Sequence, residues 1–253
     1  MFVARDDGPV RTLTITNPER RNAIPGDQWK ALAEGFADFE RSAARALIIV
    51  GEGEHFCSGA DLAAGFEGRF DSHEVVRTVS EAASALHRLT KPTVAAVDGF
   101  AVGAGLNLAL GCDVLIATDR ARFSEVFVRR GLTVDFGGTW LLPRRVGLAH
   151  AKELALTGRV FDAAEAERIG MVSLVVGPDR LDEVAHEVAA ELAAGAPLAQ
   201  RFIKAGLDRS FEMSFDEALS YEHAAQALLL STEDVAEGLA AFLQKRPPEF
   251  KGR

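Results

Sequence analysis

The spacing of hydrophobic and polar residues predicts alternating strands and helices in the first half of the chain. Alternation over residues 10–16 (VRTLTIT) predicts a strand, and the stretch from about residue 27 to 45 predicts a helix. A second helix is predicted over residues 74–89. Short apolar runs predict three further strands, at residues 46–50 (ALIIV), 93–97 (TVAAV) and 113–118 (DVLIAT). Because such runs are typical of strands buried on both faces, we expect an α/β core with parallel strands.

The pattern changes near residue 148. Segments rich in Ala and Glu then predict helices that end at glycines, with one strand-like run, MVSLVV at residues 171–176, between them. After Pro197 the whole sequence has a helical pattern. We therefore expect a core over residues 1–196 and a C-terminal helical region over residues 197–253. A helical region without a core of its own usually packs on something, often another subunit.

Composition and charge narrow the functional classes. The 253 residues are 48% hydrophobic and 26% charged, as in globular proteins, and a formal charge of −9 argues against nucleic-acid binding. Cys57 and Cys112 lack the spacing of a metal or disulfide motif, so we expect free thiols in a reducing compartment and no metal. The longest apolar run, residues 94–110, contains Asp98 and Asn107 and does not predict a membrane span. Without a signal-peptide layout at the N-terminus, we expect a cytoplasmic protein.

Two predicted strands end in glycine-rich loops, GEGEHFCSGAD after residue 50 and DGFAVGAG after residue 97. In parallel α/β architectures, the loops at the carboxyl ends of strands form the ligand crevice. Glycine allows backbone to approach a ligand closely, and amides at a helix start can hold a developing negative charge. Neither loop has the dinucleotide or phosphate-loop motif, since Leu108 occupies the third glycine position and no Gly-Lys-Ser/Thr occurs.

Taken together, the two loops resemble a known family. The segment HFCSGADL, followed by KPTVAAVDGFAVGAGLNLALGCDVLIAT, resembles the crotonase, or enoyl-CoA hydratase/isomerase, superfamily. Further matching segments are NPERRNAI, GLTVDFGGTWLLPRRVG, AKELALTGRVFDAAEAERIGMV and GLAAFLQKRPPEF, so the resemblance spans nearly the whole chain. It implies a spiral ββα core, a C-terminal helical region that forms trimers and often hexamers, and acyl-CoA substrates. Coenzyme A then enters as part of the substrate, and no permanently bound cofactor is expected.

The resemblance also implies roles for individual residues. The amides of Ala60 and Ala104 form the oxyanion hole for the thioester carbonyl, and Asp61 and Leu62 lie beside the coenzyme A arm. Contacts to the nucleotide end of coenzyme A are implied for Arg20, Arg21, Phe242 and Lys245, the last two typically from a neighbouring subunit. We expect an apolar acyl pocket lined by Phe66, Gly103, Phe127, Phe136 and Trp140.

The chain departs from the hydratases of this superfamily at both catalytic positions. Hydratases use two glutamates to activate water, and the corresponding positions here are Asn107 and Phe127. An amide lacks a usefully basic lone pair, and a phenyl ring transfers no proton. Water addition by the family's route is therefore in doubt.

Asp135 is the better candidate for an acid/base. The apolar, glycine-rich sequence GLTVDFGGTW around it predicts partial desolvation, which raises a carboxyl pKa and improves the group as a proton acceptor. This segment, together with AGAGLNLALG, resembles ring-1,2-epoxyphenylacetyl-CoA isomerase and related Δ3,Δ2-enoyl-CoA isomerases, in which an aspartate here is the sole acid/base. A role for Asp135 as a cap of the helix beginning near Gly138 stays open. Glu125 is the second candidate base, although an exposed or salt-bridged glutamate is the expected state.

Three functions remain open from the sequence. The first is an enoyl-CoA isomerase that uses Asp135 to move a double bond through a thioester enolate. The second is a hydratase that activates water with Asp135 or Glu125 through Asn107. The third is a non-catalytic acyl-CoA-binding protein that keeps the oxyanion hole alone.

Overall fold

The computed structural model describes residues 1–61 and 72–253 of the chain. Its strands, in chain order, are β1 Phe2–Asp7, β2 Val10–Ile15, β3 Ala46–Gly51, β4 Thr93–Val97, β5 Phe100–Val102, β6 Val114–Thr118, β7 Arg122–Ser124, β8 Phe161–Asp162 and β9 Leu174–Val176. Its helices are α1 Trp29–Arg41, α2 Ser72–His87, α3 Ala104–Leu110, α4 Gly138–Thr157, α5 Ala163–Arg168, α6 Leu181–Ala194, α7 Pro197–Asp208, α8 Phe215–Leu229 and α9 Glu233–Gln244.

The large sheet confirms the predicted α/β core. Its six strands lie in the order β1-β2-β3-β4-β6-β9, and every pair except the β1–β2 hairpin is parallel. Side chains of β3 alternate between its faces: Ala46 and Ile48 pack against α6, and Leu47 and Ile49 face the main core with α1. Because helices cover both faces, the central strands β3, β4 and β6 are almost continuously apolar, as the sequence pattern indicated.

A small second sheet crosses the carboxyl ends of the large one. Strand β5 pairs in parallel with β7, and β7 pairs antiparallel with β8. None of these strands exceeds three residues. Such short strands carry too few alternating positions to be predicted from sequence, and β5, β7 and β8 were not expected. This sheet brings the segment 99–105 against the loop that follows β3.

Several boundaries differ from the predicted ones. Helix α1 ends at Arg41 rather than near residue 45, because Ser42 adopts an extended conformation and its amide bonds Asp38 O and Phe39 O. The run at residues 171–176 forms a strand only over Leu174–Val176. Strand β1, which pairs with β2 along its whole length, was not predicted because its sequence, FVARDD, is mostly polar and exposed.

The C-terminal region consists of α7, α8 and α9, as predicted. Its contact with the core includes an ion pair between Lys204 Nζ and Asp113 Oδ2 at 2.8 Å. Large apolar side chains on these helices face outward, among them Ile203, Leu207, Phe215, Leu228, Leu239, Phe242 and Leu243. Within the described ranges, no helix has the length and hydrophobicity needed to cross a membrane.

Candidate active site

Two glycine-containing segments meet where the two sheets come together. The loop after β3 bonds to β5 through Cys57 N–H to Phe100 O and Val102 N–H to Cys57 O, each 3.0 Å long. On its other side the amide of Ile24 donates to Gly59 O over 2.8 Å. These bonds hold the Gly59–Ala60 segment beside the first turn of α3.

Close approach of the backbones explains two of the glycines. Gly59 has a φ of +89°, and a Cβ there would lie 2.7 Å from Val102 O and 3.3 Å from Ala104 N. A Cβ on Gly105 would collide with the carbonyl of Cys57. Only glycine fits at these positions, so the sequence brings the Gly59–Ala60 segment close to Ala104.

In the described part of the chain, the amides of Ala60 and Ala104 are among the unused donors of this junction. Among the hydrogen bonds formed by residues 1–61 and 72–253, none involves the N–H of Ala60 or of Ala104. Ala104 begins α3, and the first amides of a helix have no partner within it. Two unpaired amides on neighbouring segments have the chemistry required to bind an oxyanion.

Asn107 connects three parts of the site. Its side chain is completely buried on α3, and its Nδ2 donates to Asp135 O at 3.0 Å and to Glu125 Oε2 at 3.4 Å. The amide lies directly against the start of α4, because a Cβ on Gly138 would overlap it. The polar residue in an otherwise apolar helix is thus explained: it ties the Glu125 and Asp135 segments to α3.

Asp135 lies in the loop before α4 with a half-buried carboxyl group. Its side chain does not cap the helix, since the N-cap is Gly137 and has no side-chain hydrogen bond. The atom Oδ1 is buried and has no hydrogen-bond partner among the described residues. Because burial disfavours the charged form, the pKa of Asp135 is raised to about 6. The carboxyl group therefore has no hydrogen-bond partner for its buried oxygen among the described residues, and its basicity suits proton transfer near neutral pH.

Glu125 is buried rather than exposed, and no ion pair joins it to a cation in the described part of the chain, so that expectation is wrong. Residues 126–130, which follow Glu125, form a 3-10 turn rather than an extended strand. The side chain of Glu125 is completely buried. The pKa of Glu125 is raised to about 8. Burial is the largest cause; the hydrogen bond from Asn107 acts to lower the pKa, and the charge of Asp135 acts to raise it. Sequence periodicity gave no sign of this burial, because it results from the packing of the 3-10 turn on distant segments.

Three of the predicted pocket aromatics, Phe127, Phe136 and Trp140, lie in the described part of the chain. The ring of Phe127 is close to Gly103, where a Cβ would be 3.5 Å from Phe127 Cζ. Phe136 has a φ of +50° and packs on the ring of Trp29 with centroids 5.8 Å apart. A cavity of about 370 Å³ is lined by side chains of α2 together with Phe136, Trp140 and Leu141. Phe66 lies outside the described residues.

The cations expected to contact coenzyme A lie on two separate elements. Arg20 Nη1 bonds both carboxylate oxygens of Asp61, at 3.0 and 3.1 Å, and the guanidinium of Arg21 lies 5.0 Å from the centroid of the Phe100 ring. Phe242 and Lys245 are exposed at the end of α9, and no described hydrogen bond or ion pair joins them to Ala60 or Ala104. Leu62 is outside the described residues.

In the part of the chain that the structure describes, no cluster of three or more His, Cys, Asp or Glu side chains is placed to hold a metal ion. The described residues bring backbone amides, one side-chain amide and two carboxyl groups to the site.

Known proteins are similar to this chain in both sequence and architecture. The sequence pattern of the enoyl-CoA hydratase/isomerase family matches residues 6–253. The chain belongs to the enoyl-CoA hydratase/isomerase family. The resemblance seen in the sequence motifs is thereby confirmed, and with it an acyl-CoA-processing enzyme.

Individual members of the family differ in the reaction they are named for. The chain is 36% identical over 255 residues to a short-chain-enoyl-CoA hydratase of Clostridium acetobutylicum, covering 99% of this chain and 98% of that one. It is 37% identical over 253 residues to the 1,2-epoxyphenylacetyl-CoA isomerase of Escherichia coli, covering 96% and 95%. An enoyl-CoA hydratase structure from Bacillus anthracis superposes with a TM-score of 0.94 at 29% identity, covering 100% of this chain and 99% of that one. Membership of the family does not distinguish water addition from isomerisation.

Proposed function

We propose that this member of the enoyl-CoA hydratase/isomerase family is an isomerase that shifts a double bond in an enoyl-CoA. Asp135 removes a proton from the α or γ carbon of the acyl group, and the electron pair moves into the thioester carbonyl to give an enolate. The protonated Asp135 then returns the proton at the other end of the allylic system. The sequence of steps neither consumes nor releases water, so one base is sufficient.

The observation that supports this proposal most directly is the state of Asp135. Its carboxyl is half-buried, has one oxygen without a partner among the described residues, and has a pKa raised to about 6. A base with this pKa is mostly ionised at neutral pH yet more basic than an exposed aspartate. Both positions of the hydratase glutamates, by contrast, are occupied by side chains that cannot act as a base, Asn107 and Phe127.

The amides of Ala60 and Ala104 would stabilise the enolate. A thioester oxygen between them accepts two hydrogen bonds that strengthen as negative charge develops, and a single such donor is typically worth about 3–4 kcal/mol in the transition state. Neither amide has a competing acceptor in the described parts of the protein. Arg20, Arg21, Asp61, Leu62, Phe242 and Lys245 would contact the coenzyme A portion, and the cavity bounded by Phe136 and Trp140 would accept the acyl group.

Water addition is the second candidate, because one further observation favours it. Oxygens of Asn107, Glu125 and Asp135 are buried without partners among the described residues, and a water molecule there would supply donors to two of them. Relatives named as hydratases are also present in the family.

Incubation in isotopically labelled water separates the candidates. With an enoyl-CoA in water enriched in oxygen-18 and deuterium, an isomerase exchanges carbon-bound hydrogen and moves the double bond, whereas a hydratase incorporates the oxygen label. Oxygen incorporation at a rate comparable to deuterium exchange would contradict the isomerase proposal. A third possibility, a non-catalytic acyl-CoA-binding protein, predicts coenzyme A binding with no deuterium exchange at the α carbon.

We also propose that the protein is a cytoplasmic homotrimer or a homohexamer built from trimers. The support is the row of exposed apolar side chains on α7, α8 and α9, since large contiguous apolar surfaces on soluble proteins usually mark interfaces. In such an assembly Phe242 and Lys245 of one subunit would be available to the coenzyme A bound by a neighbour.

A further inference from the structure

Three buried oxygen atoms of the site receive no hydrogen bond from any residue that the structure describes. They are Asn107 Oδ1, Glu125 Oε1 and Asp135 Oδ1, and each is buried without a partner among the described residues. Both hydrogens of Asn107 Nδ2 are already used, one toward Asp135 O and one toward Glu125 Oε2. Buried acceptors without donors cost free energy, so the site requires a donor that the neutral amide cannot supply.

Among residues 1–61 and 72–253, no ion pair joins a cation to either of the two carboxyl groups. Helix α3, which carries Asn107, has no charged residue at all. On the strand and turn that flank Glu125, the guanidinium groups turn elsewhere: Arg122 donates to Ala121 O, Arg129 donates to Thr157 O, and Arg130 is exposed. On the segment that packs against this turn, Arg159 is paired with Glu153 and Glu165. The charge that acts on Glu125 within the described residues is therefore that of Asp135.

We propose that Glu125 works as a neutral carboxylic acid, keeping its proton while Asp135 is ionised, and that it thereby positions Asn107 and Asp135 for catalysis. This inference rests on the proposed role of Asp135 as the base. Two neighbouring carboxylates without a cation repel each other, so one of them retains a proton. A protonated Glu125 supplies one O–H donor to a cluster of unpartnered acceptors. It also leaves a single negative charge in the site, on the group that must accept the substrate's proton.

The two carboxyl groups differ in burial, and this difference favours a proton on Glu125 and a negative charge on Asp135. Glu125 is completely buried, whereas Asp135 is half-buried, and burial disfavours ionisation more strongly for the deeper group. The raised pKa values agree with this order, at about 8 for Glu125 and about 6 for Asp135. Glu125 is thus a positioning residue: its role is to hold Asn107 and to remain uncharged, and it does not exchange a proton with the substrate.

A bell-shaped pH dependence follows. Activity increases with pH as Asp135 loses its proton, near pH 6, and decreases again as Glu125 ionises, near pH 8. Above the second value a negative charge on Glu125 repels the negative charge that develops on the enolate. The decrease approaches about tenfold per pH unit if the ionised form is inactive.

The test compares kcat/KM against pH for the wild type, Glu125→Gln, Glu125→Ala and Asp135→Asn. Glutamine has the shape of a protonated glutamate and offers a donor, so Glu125→Gln should keep activity at pH 7 within about tenfold, as expected for one altered hydrogen bond, and should lose the alkaline decrease. Glu125→Ala removes the partner of Asn107 and should be less active than Glu125→Gln at every pH. Asp135→Asn should lose activity by about 10²–10⁴-fold. If Glu125→Gln were as inactive as Asp135→Asn, Glu125 would transfer protons itself and the inference would be wrong.

An infrared measurement keeps the inference separate from the proposed reaction. The difference spectrum of wild type minus Glu125→Gln should contain the carbonyl band of a protonated carboxylic acid at pH 7, and this band should disappear as the pH is raised through about 8. The band is expected even if no enoyl-CoA is isomerised, so an inactive wild-type enzyme would contradict the proposed function alone. A carboxylate band for Glu125 at pH 7 would overturn the inference whatever the activity.

Discussion

At the scale of single residues, the site is organised by one side chain that transfers no proton. Asn107 uses both of its amide hydrogens to bind the Glu125 and Asp135 segments, and it does so from inside a completely buried helix. The carboxylate that a hydratase would have at this position is absent. What remains are two carboxyl groups in different degrees of burial, and this difference in burial decides which of them is ionised.

The burial of Glu125 predicts how stability depends on pH. Its folded-state pKa of about 8 lies above the ordinary value of 4.5, so its contribution to stability is fully present below about pH 4.5 and is lost as the pH increases to about 8. Compared with Glu125→Gln, the wild type should lose on the order of a few kcal/mol in the free energy of unfolding between these values, with no further relative change above pH 8. Urea denaturation of both proteins at several pH values measures this difference. A constant difference across the range would contradict it.

Sequence reasoning could propose residues for the site but could not predict how deeply each of them is buried. Asn107 stands out in the sequence as the one amide in an apolar helix, and Asp135 stands out among glycines. The burial of Glu125 left no such sign, because it depends on a turn over residues 126–130 that packs against Gly158, more than thirty residues away. Local periodicity cannot report contacts of that kind.

At the scale of elements, the site depends on how closely α3 and α4 approach. The Asn107 amide rests on the backbone of Gly138, the first residue of α4, and this contact positions the loop that holds Asp135. The apolar strands of the large sheet and the amphipathic helices packed on it were predictable from the sequence. The short strands of the small sheet were not, yet they bring the Ala60 and Ala104 segments together.

Substitution of Gly138 tests this contact. Gly138→Ala places a Cβ against the Asn107 amide and should displace it, so we expect kcat/KM to fall at least about tenfold while the fold is retained. Gly35→Ala in α1 is the matched control, because its Cβ would make only ordinary contacts with Leu13 at 3.9–4.0 Å. The control should keep full activity and gain about 0.5–1 kcal/mol of stability from its better helix propensity. Equal activities of the two variants would show that the α3–α4 contact does not position Asp135.

At the scale of the whole molecule, the core is self-contained and the C-terminal helices are not. The two faces of the large sheet are covered by helices of the same chain, whereas α7, α8 and α9 expose many of their large apolar residues. The boundary near residue 197 stays a prediction from the sequence, in which the helical pattern after Pro197 continues with no strand for it to cover.

The exposed face predicts self-association. Light scattering coupled to size exclusion should give a mass of three or six chains for the wild type. Leu228→Lys on α8 should shift this mass toward the monomer without unfolding the chain, because the side chain is already 53% exposed in the isolated subunit. Val3→Lys, at a similarly exposed apolar residue of β1, is the control and should leave the assembly unchanged. A monomeric wild type at micromolar concentration would contradict the proposed assembly.

The role of Asp135 as the acid/base of a double-bond shift is tested most directly by Asp135→Asn. The quantity to measure is the rate of conversion of a 3-enoyl-CoA to its 2-enoyl isomer, together with deuterium exchange at the α carbon, at pH 7. Asparagine keeps the size of the side chain but removes the base, so both rates should fall together by about 10²–10⁴-fold. Asp7→Asn, at an exposed position at the end of β1, should match the wild type. Full isomerase activity and full exchange in Asp135→Asn would contradict the assignment of this residue.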